Sequence, residues 1–135
     1  KSEKLFFIES FEEILDHGQI VMGPEINLFE EKVSQYCGRK FAVGVGSGTD
    51  ALLLAAQAIG LGPGDEVIIP VNTWISTAFA ASKVGAKPVL VDVNPDTHQM
   101  DVDALERAIT NSTKAVFPAH LYGHPAPITM IVELT

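Results

Sequence analysis

Positive charge, cysteine and long apolar runs are all scarce in this chain. Nine Lys and Arg stand against 17 Asp and Glu, a net charge of −8 over 135 residues. Surfaces for nucleic acid or anionic lipid need clustered cations, so the balance argues against both partners. A single cysteine, Cys37, excludes an intrachain disulfide and a cysteine-based zinc cluster. Its expected role is a small buried side chain near a helix end, in a reducing cytoplasm. No apolar run is long enough to span a bilayer. The opening KSEKLFFIESFEEILDHG carries acids inside its apolar pattern, unlike a secretory leader. Of the four histidines, only His120 and His124 are spaced four apart, and they straddle a Gly-Pro loop rather than a helix face; no metal site is expected. His17 and His98 read as helix-end and loop residues. What the chain does have is apolar residues, 47% of the total, enough for one domain with a real core and too many for disorder.

Periodicity predicts two leading helices. Leu5, Ile8, Phe11, Ile14 and Leu15 mark one helix face over 5–17, with Gly18 as the stop. Pro24 suits a first helical position, and Ile26, Phe29, Val33 and Tyr36 carry a second helix to Gly38. The rhythm then changes. Strands are predicted near 41–45, 66–69, 88–93 and 114–119, separated by helices over 49–59, 73–84 and 103–109, with one more helix from Pro127. The 49–59 helix is apolar almost all round and is expected to be buried. Asp101 reads as an N-cap, and Asp103 as first-turn charge rather than half of a catalytic pair. Glu12-Glu13 and Glu30-Glu31 read as solvated helix faces. The strands VIIP, PVLVDV and AVFPA are unbroken apolar runs, the mark of a parallel sheet covered on both faces. The expected class is therefore α/β, one largely parallel sheet with helices on both faces. No repeat or linker marks a second domain. The final helix has only about two turns before Thr135, which suggests the N-terminal piece of a longer protein.

The stretch VGVGSGTDALLL, residues 43–54, is the candidate binding loop: a predicted strand breaks into glycines and restarts as a helix. It is a poor dinucleotide fingerprint, because Thr49 stands where G-x-G-x-x-G needs its third glycine, and no acid follows at the end of the next strand. It is not a P-loop, because no Gly-Lys-Ser/Thr follows. Two readings fit. One is a phosphate site, with Gly48 allowing close backbone approach, Thr49 offering a hydroxyl and free N–H groups facing an anion. The other is an ordinary N-cap by Ser47 or Thr49, with Asp50 set favourably against the helix dipole.

Three longer segments bear on the choice. GPEINLFEEKVSQYCG, then FAVGVGSGTDALLLAAQAIGLGPGDEVIIPVNTWISTAFAASKVGAKPVLVDVNPDTHQMD, then KAVFPAHLYGHPAPI occur in an order and spacing that resemble the N-terminal part of the DegT/DnrJ/EryC1/StrS family. These are sugar aminotransferases that use pyridoxal 5′-phosphate (PLP). The resemblance covers nearly the whole chain. It implies that residues 1–135 are part of a fold type I aminotransferase large domain: two leading helices over 1–38, alternating strands and helices after them, and a C-terminal remainder that is absent. It makes Gly48, Thr49 and Asp50 the cradle of the PLP phosphate, with the Asp50 carboxylate turned away. It makes Trp74 the aromatic residue stacked on the PLP ring. A flat, electron-rich indole suits a partly cationic pyridinium, although packing at a helix head would also explain a tryptophan there. His120 is near enough to the expected ligand end of a strand to approach cofactor or substrate, but a loop histidine is more often structural or solvated.

PLP chemistry also needs a Schiff-base lysine and a carboxylate against the pyridine nitrogen. In the family both lie beyond the LYG-x-P motif, so no catalytic residue is expected in this chain. Lys1, Lys4, Lys32, Lys40, Lys83, Lys87 and Lys114 all read as peripheral. The resemblance thus implies that the full-length protein moves an amino group from an amino acid, most often glutamate, to a nucleoside-diphosphate-linked keto sugar, as a cytoplasmic homodimer. The alternatives are a PLP- or PMP-dependent sugar dehydratase of the same fold, or a non-catalytic regulatory or phosphate-binding paralogue. A nucleotide-binding oxidoreductase is disfavoured by Thr49.

Overall fold

The computed structural model describes residues 2–135, which form two compact units, one up to residue 44 and one over 45–135. In the first unit, helix α1 spans Glu3–His17 and α2 spans Pro24–Tyr36. Ser2 caps α1, and Gly18 ends it at φ 69°, a conformation that costs glycine nothing. Pro24 sits in the first turn of α2. The Nε2–H of His17 donates to the Glu25 carboxylate at 2.9 Å, while its Nδ1 accepts the Gln19 N–H. Glu25 is held below the ordinary carboxylate range, first by its own backbone N–H and then by His17. Gly44 lies so close to α2 that a Cβ there would stand 2.6 Å from the Ile26 Cδ1, and its N–H donates to Glu30 at 2.6 Å. Glu30 is therefore half-buried and engaged, not merely solvated as predicted. Cys37 also departs from expectation: it caps α2 and is exposed. α1 buries no residue and α2 buries only Ser34, so near its cap no core forms to take a thiol.

The second unit runs α3 (Gly48–Ala58), β1 (Glu66–Pro70), α4 (Ile75–Lys83), β2 (Lys87–Val91), α5 (Val102–Ala108), β3 (Thr113–Val116) and α6 (Ile128–Leu134). The sheet has the order β2-β1-β3, and both pairings are parallel. Glu66 stands opposite Lys87 on one side and Thr113 on the other, with an irregularity after Glu66 that skips Lys114. Successive β1 side chains point to opposite faces. Val67 and Ile69 pack with Ala56 of α3 and Ala81 of α4. Ile68 packs with Val91, Met100, Leu105 of α5 and Ile131 of α6. Helices thus cover both faces, as the sequence predicts.

Three expectations need correction. Residues 41–45 form no strand. A strand exists through the neighbour that takes its backbone groups, and among the described residues none pairs with this run. Second, α3 is not buried all round. Ala56 is fully covered, but Leu54 and Ile59 are about half exposed, since α4 and one sheet face occupy only part of its circumference. Third, β2 is an edge strand among the described residues: Leu90 is exposed, and Pro88 is tolerated because an edge leaves one row of N–H groups unpaired in any case. Among the described residues, no helix is long and apolar enough to cross a membrane.

Candidate functional site

All three strands are parallel, so their C-terminal ends share one rim, where open α/β sheets place ligands. Trp74, the 92–101 segment and the 117–127 segment follow those ends in turn. Two amides lace this rim together. The Asn72 Nδ2 donates to the His98 carbonyl at 3.0 Å, and the Gln99 Nε2 to the Leu121 carbonyl at 3.0 Å. Turning either amide over would set oxygen against oxygen, which fixes both orientations. The price is two buried amide oxygens, Asn72 Oδ1 and Gln99 Oε1, with no partner; such an acceptor costs about 1–3 kcal/mol. Sequence reading missed both residues, because polar loop side chains carry no signal of which loop they will meet.

The glycine loop meets the sheet through α3. Ser47 is the N-cap: its Oγ accepts the Asp50 N–H at 3.1 Å and donates to the Asp50 carboxylate at 2.9 Å. The cap reading is therefore realised, by Ser47. It leaves the N–H groups of Gly48 and Thr49 without a protein acceptor among the described residues. A Cβ built on Gly48 would meet nothing within 4 Å. Interior packing thus gives no reason for glycine there, and a side chain would occupy the open space beside the free N–H groups. That donor set and that space fit a phosphate.

The Thr49 hydroxyl lies 2.7 Å from the Ser76 hydroxyl of α4. This bond joins the starts of two helices 27 residues apart in sequence and brings Trp74, the N-cap residue of α4, to the same end of the fold as Gly48. Trp74 is 76% exposed, and its side chain caps nothing with a hydrogen bond. Packing at a helix head does not account for a tryptophan this open. Ser76 was missed by sequence reading, although a hydroxyl in the first turn of a helix after a parallel strand was an available signal. His120 is exposed; its Nδ1 accepts the Ala126 N–H at 2.9 Å, so the neutral ring carries its proton on Nε2. Its observed contact is a loop bond. His124 donates from Nδ1 to the Pro125 carbonyl. Asp101 caps α5 through the Ala104 N–H at 2.6 Å, and Asp103 lies in its first turn, so neither serves as a catalytic pair here.

The comparisons agree with this architecture. The model of the DegT/DnrJ/EryC1/StrS aminotransferase family matches residues 1–135. The dTDP-3-amino-3,4,6-trideoxy-alpha-D-glucose transaminase of Streptomyces venezuelae is 47% identical over 121 residues, 90% of this chain and 32% of its own length. The UDP-2-acetamido-2-deoxy-3-oxo-D-glucuronate aminotransferase of Pseudomonas aeruginosa is 44% identical over 118 residues, 87% of this chain and 33% of its own. Among solved structures, NtdA from Bacillus subtilis with bound cofactor PMP superposes with a TM-score of 0.91 at 36% identity, covering 99% of this chain and 31% of that one. The chain spans about a third of the length of each of these proteins. Its fold is that of part of a fold type I aminotransferase, and the chain belongs to the DegT/DnrJ/EryC1/StrS aminotransferase family.

Proposed function

We propose that the full-length protein transfers an amino group from an amino-acid donor, glutamate, to a keto sugar linked to a nucleoside diphosphate, and that residues 45–135 hold the phosphate and one ring face of PLP. The reading rests on one observation above all. The start of α3 offers free N–H groups beside an open Gly48, and the Thr49–Ser76 bond ties it to a helix headed by an exposed tryptophan. The Gly48 and Thr49 N–H groups and the Thr49 hydroxyl would donate to the phosphate. Asp50 contributes by closing the cap with Ser47, which keeps its carboxylate engaged and leaves those donors free. Trp74 would lie against the ring and exclude water from that face. Bound PLP would supply an aldehyde and an electron-withdrawing ring, so that the donor gives up its amino group and departs as a keto acid, and that amino group then replaces the sugar's ketone oxygen. The names of the two relatives above support a nucleotide-linked sugar as acceptor. The same family resemblance supports a cytoplasmic homodimer, which light scattering at twice the subunit mass would establish.

The test uses full-length protein loaded with PLP. Glutamate should bleach the PLP absorbance and yield 2-oxoglutarate, and dTDP- or UDP-linked keto sugars should then restore it, with an amino sugar detected by mass spectrometry. A protein that binds PLP and converts glutamate but aminates no keto sugar is not a sugar aminotransferase. One that dehydrates the sugar instead is the dehydratase of this fold. One that binds no PLP overturns the site.

A further inference from the structure

We propose that Ser76 is a positioning residue that aims the Thr49 hydroxyl proton at the cofactor phosphate. The inference rests on the phosphate cradle proposed above. The two hydroxyl oxygens are 2.7 Å apart, so one donates to the other. Each has one proton to give and room to accept. A phosphate dianion only accepts. If Thr49 is to donate to it, the shared bond must run from the Ser76 O–H to the Thr49 Oγ1. The order is then Ser76 to Thr49 to phosphate, and each link polarises the next.

The setting suits that task. Ala56 of α3 and Ala81 of α4 are fully buried in one cluster, so small side chains let the two helices close and fix the distance between the hydroxyls. On α4 the Thr77 hydroxyl is already paired with Thr73 at 2.9 Å, and Ser76 supplies the hydroxyl that bonds to α3. Without Ser76 the Thr49 hydroxyl has no other hydrogen-bond partner among the described residues and is free to rotate. The donor would remain but its direction would be lost.

The experiment uses the full-length holoprotein and four variants, Ser76→Ala, Thr49→Val, the double variant and Ser76→Thr. The readouts are the PLP dissociation constant and the ³¹P chemical shift of the bound cofactor. Thr49→Val should weaken PLP about tenfold or more, the scale of a hydrogen bond to a charged group. Ser76→Ala should weaken it about three- to tenfold and move the ³¹P shift toward the Thr49→Val position. The double variant should bind no worse than Thr49→Val, since Ser76 acts only through Thr49, and Ser76→Thr should restore wild-type values. If Ser76→Ala does not fold, Ser76→Cys keeps the size with a weaker donor and should fall between wild type and Thr49→Val. Wild-type affinity and ³¹P shift in Ser76→Ala, or losses that multiply in the double variant, overturn the inference and leave the cradle standing. Wild-type affinity in Thr49→Val removes the Thr49 hydroxyl from the cradle and the inference with it, leaving only the backbone donors.

Discussion

Residues 1–44 and 45–135 obey the same local rules and end in opposite states of burial. In the first unit the helix signals are complete: a serine cap, a left-handed glycine stop and a proline in the first turn. Yet α1 buries nothing, and Phe6, Phe7, Phe11 and Leu15 are all more than half exposed. In the second unit the signals are no stronger, but Val67, Ile68 and Ile69 of β1 are at most 1% exposed. Capping and periodicity are satisfied within one helix. Burial needs a partner, and the second unit has one on each sheet face. An apolar stripe therefore reports helix and face reliably, and says nothing about when the face is covered.

The sharpest break of this comparison is a pair of truncations measured by urea unfolding of residues 1–135. Ile68→Ala removes a fully covered side chain from the cluster with Leu105 and Ile131 and should cost about 2–5 kcal/mol. Phe11→Ala, a larger truncation on α1, should stay within about 0.5 kcal/mol. Equal losses would mean that the α1 face is covered in solution. Trp74 sharpens the contrast from the other side, since it is as exposed as the α1 aromatics but belongs to the well-packed unit. In the full-length protein, Trp74→Ala should weaken PLP about tenfold and leave the thermal midpoint of the PLP-free form unchanged. A lower midpoint with unchanged PLP affinity would make it a packing residue.

The same division explains what the sequence revealed. Gly18, Pro24 and Asp101 lie at the helix boundaries where their chemistry predicts them, because a cap is settled by residues within four positions. The parallel sheet was legible because β1 is buried on both faces and cannot alternate. The 41–45 run has the same apolar character and forms no strand, since pairing depends on a neighbour its own residues do not encode. At the candidate site, Gly48, Thr49, Asp50 and Trp74 were picked out by local pattern and resemblance. Ser76, Asn72 and Gln99 were not, because each matters only through a residue 22 to 27 positions away.

Caps offer a smaller test of the same contrast. Asp101 accepts the Ala104 N–H at 2.6 Å, at the head of a helix whose Leu105 is fully buried. Asp101→Ala should cost about 1 kcal/mol in urea unfolding. Ser2 accepts the Leu5 N–H at 3.4 Å, at the head of a helix that buries nothing. Ser2→Ala should cost less than about 0.5 kcal/mol, because that end frays without disturbing a core. A Ser2 effect as large as that of Asp101 would show α1 folding cooperatively with the rest of the chain.

The smallest effect is electrostatic, and it sets one glutamate of each unit against the other. Glu66 accepts from the Lys87 ammonium at 2.8 Å and the Thr110 hydroxyl at 2.6 Å, and these bonds, Lys87 first, hold its carboxyl below the ordinary range. Lys87 is its partner across the β1–β2 ladder, and Thr110 follows α5, so the arrangement exists only while the sheet is assembled. Glu25 is also lowered, but chiefly by its own backbone N–H at the head of α2, with His17 second. A carboxyl whose folded value is depressed contributes stability above its unfolded value and loses it as pH falls through the folded one. Both glutamates thus favour the fold near neutral pH and cease to do so in acid below the ordinary carboxylate range. Carbon-detected NMR titration of the glutamate carboxyls separates them. Lys87→Met should raise the Glu66 value most, Thr110→Val should raise it less, and neither should move Glu25. His17→Asn should raise Glu25 only slightly, because the leading cause remains in the backbone. A Glu25 value that rises to the ordinary range on losing His17 would show that its helix head, unlike the caps above, depends on a contact between helices, and would narrow the difference between the two units.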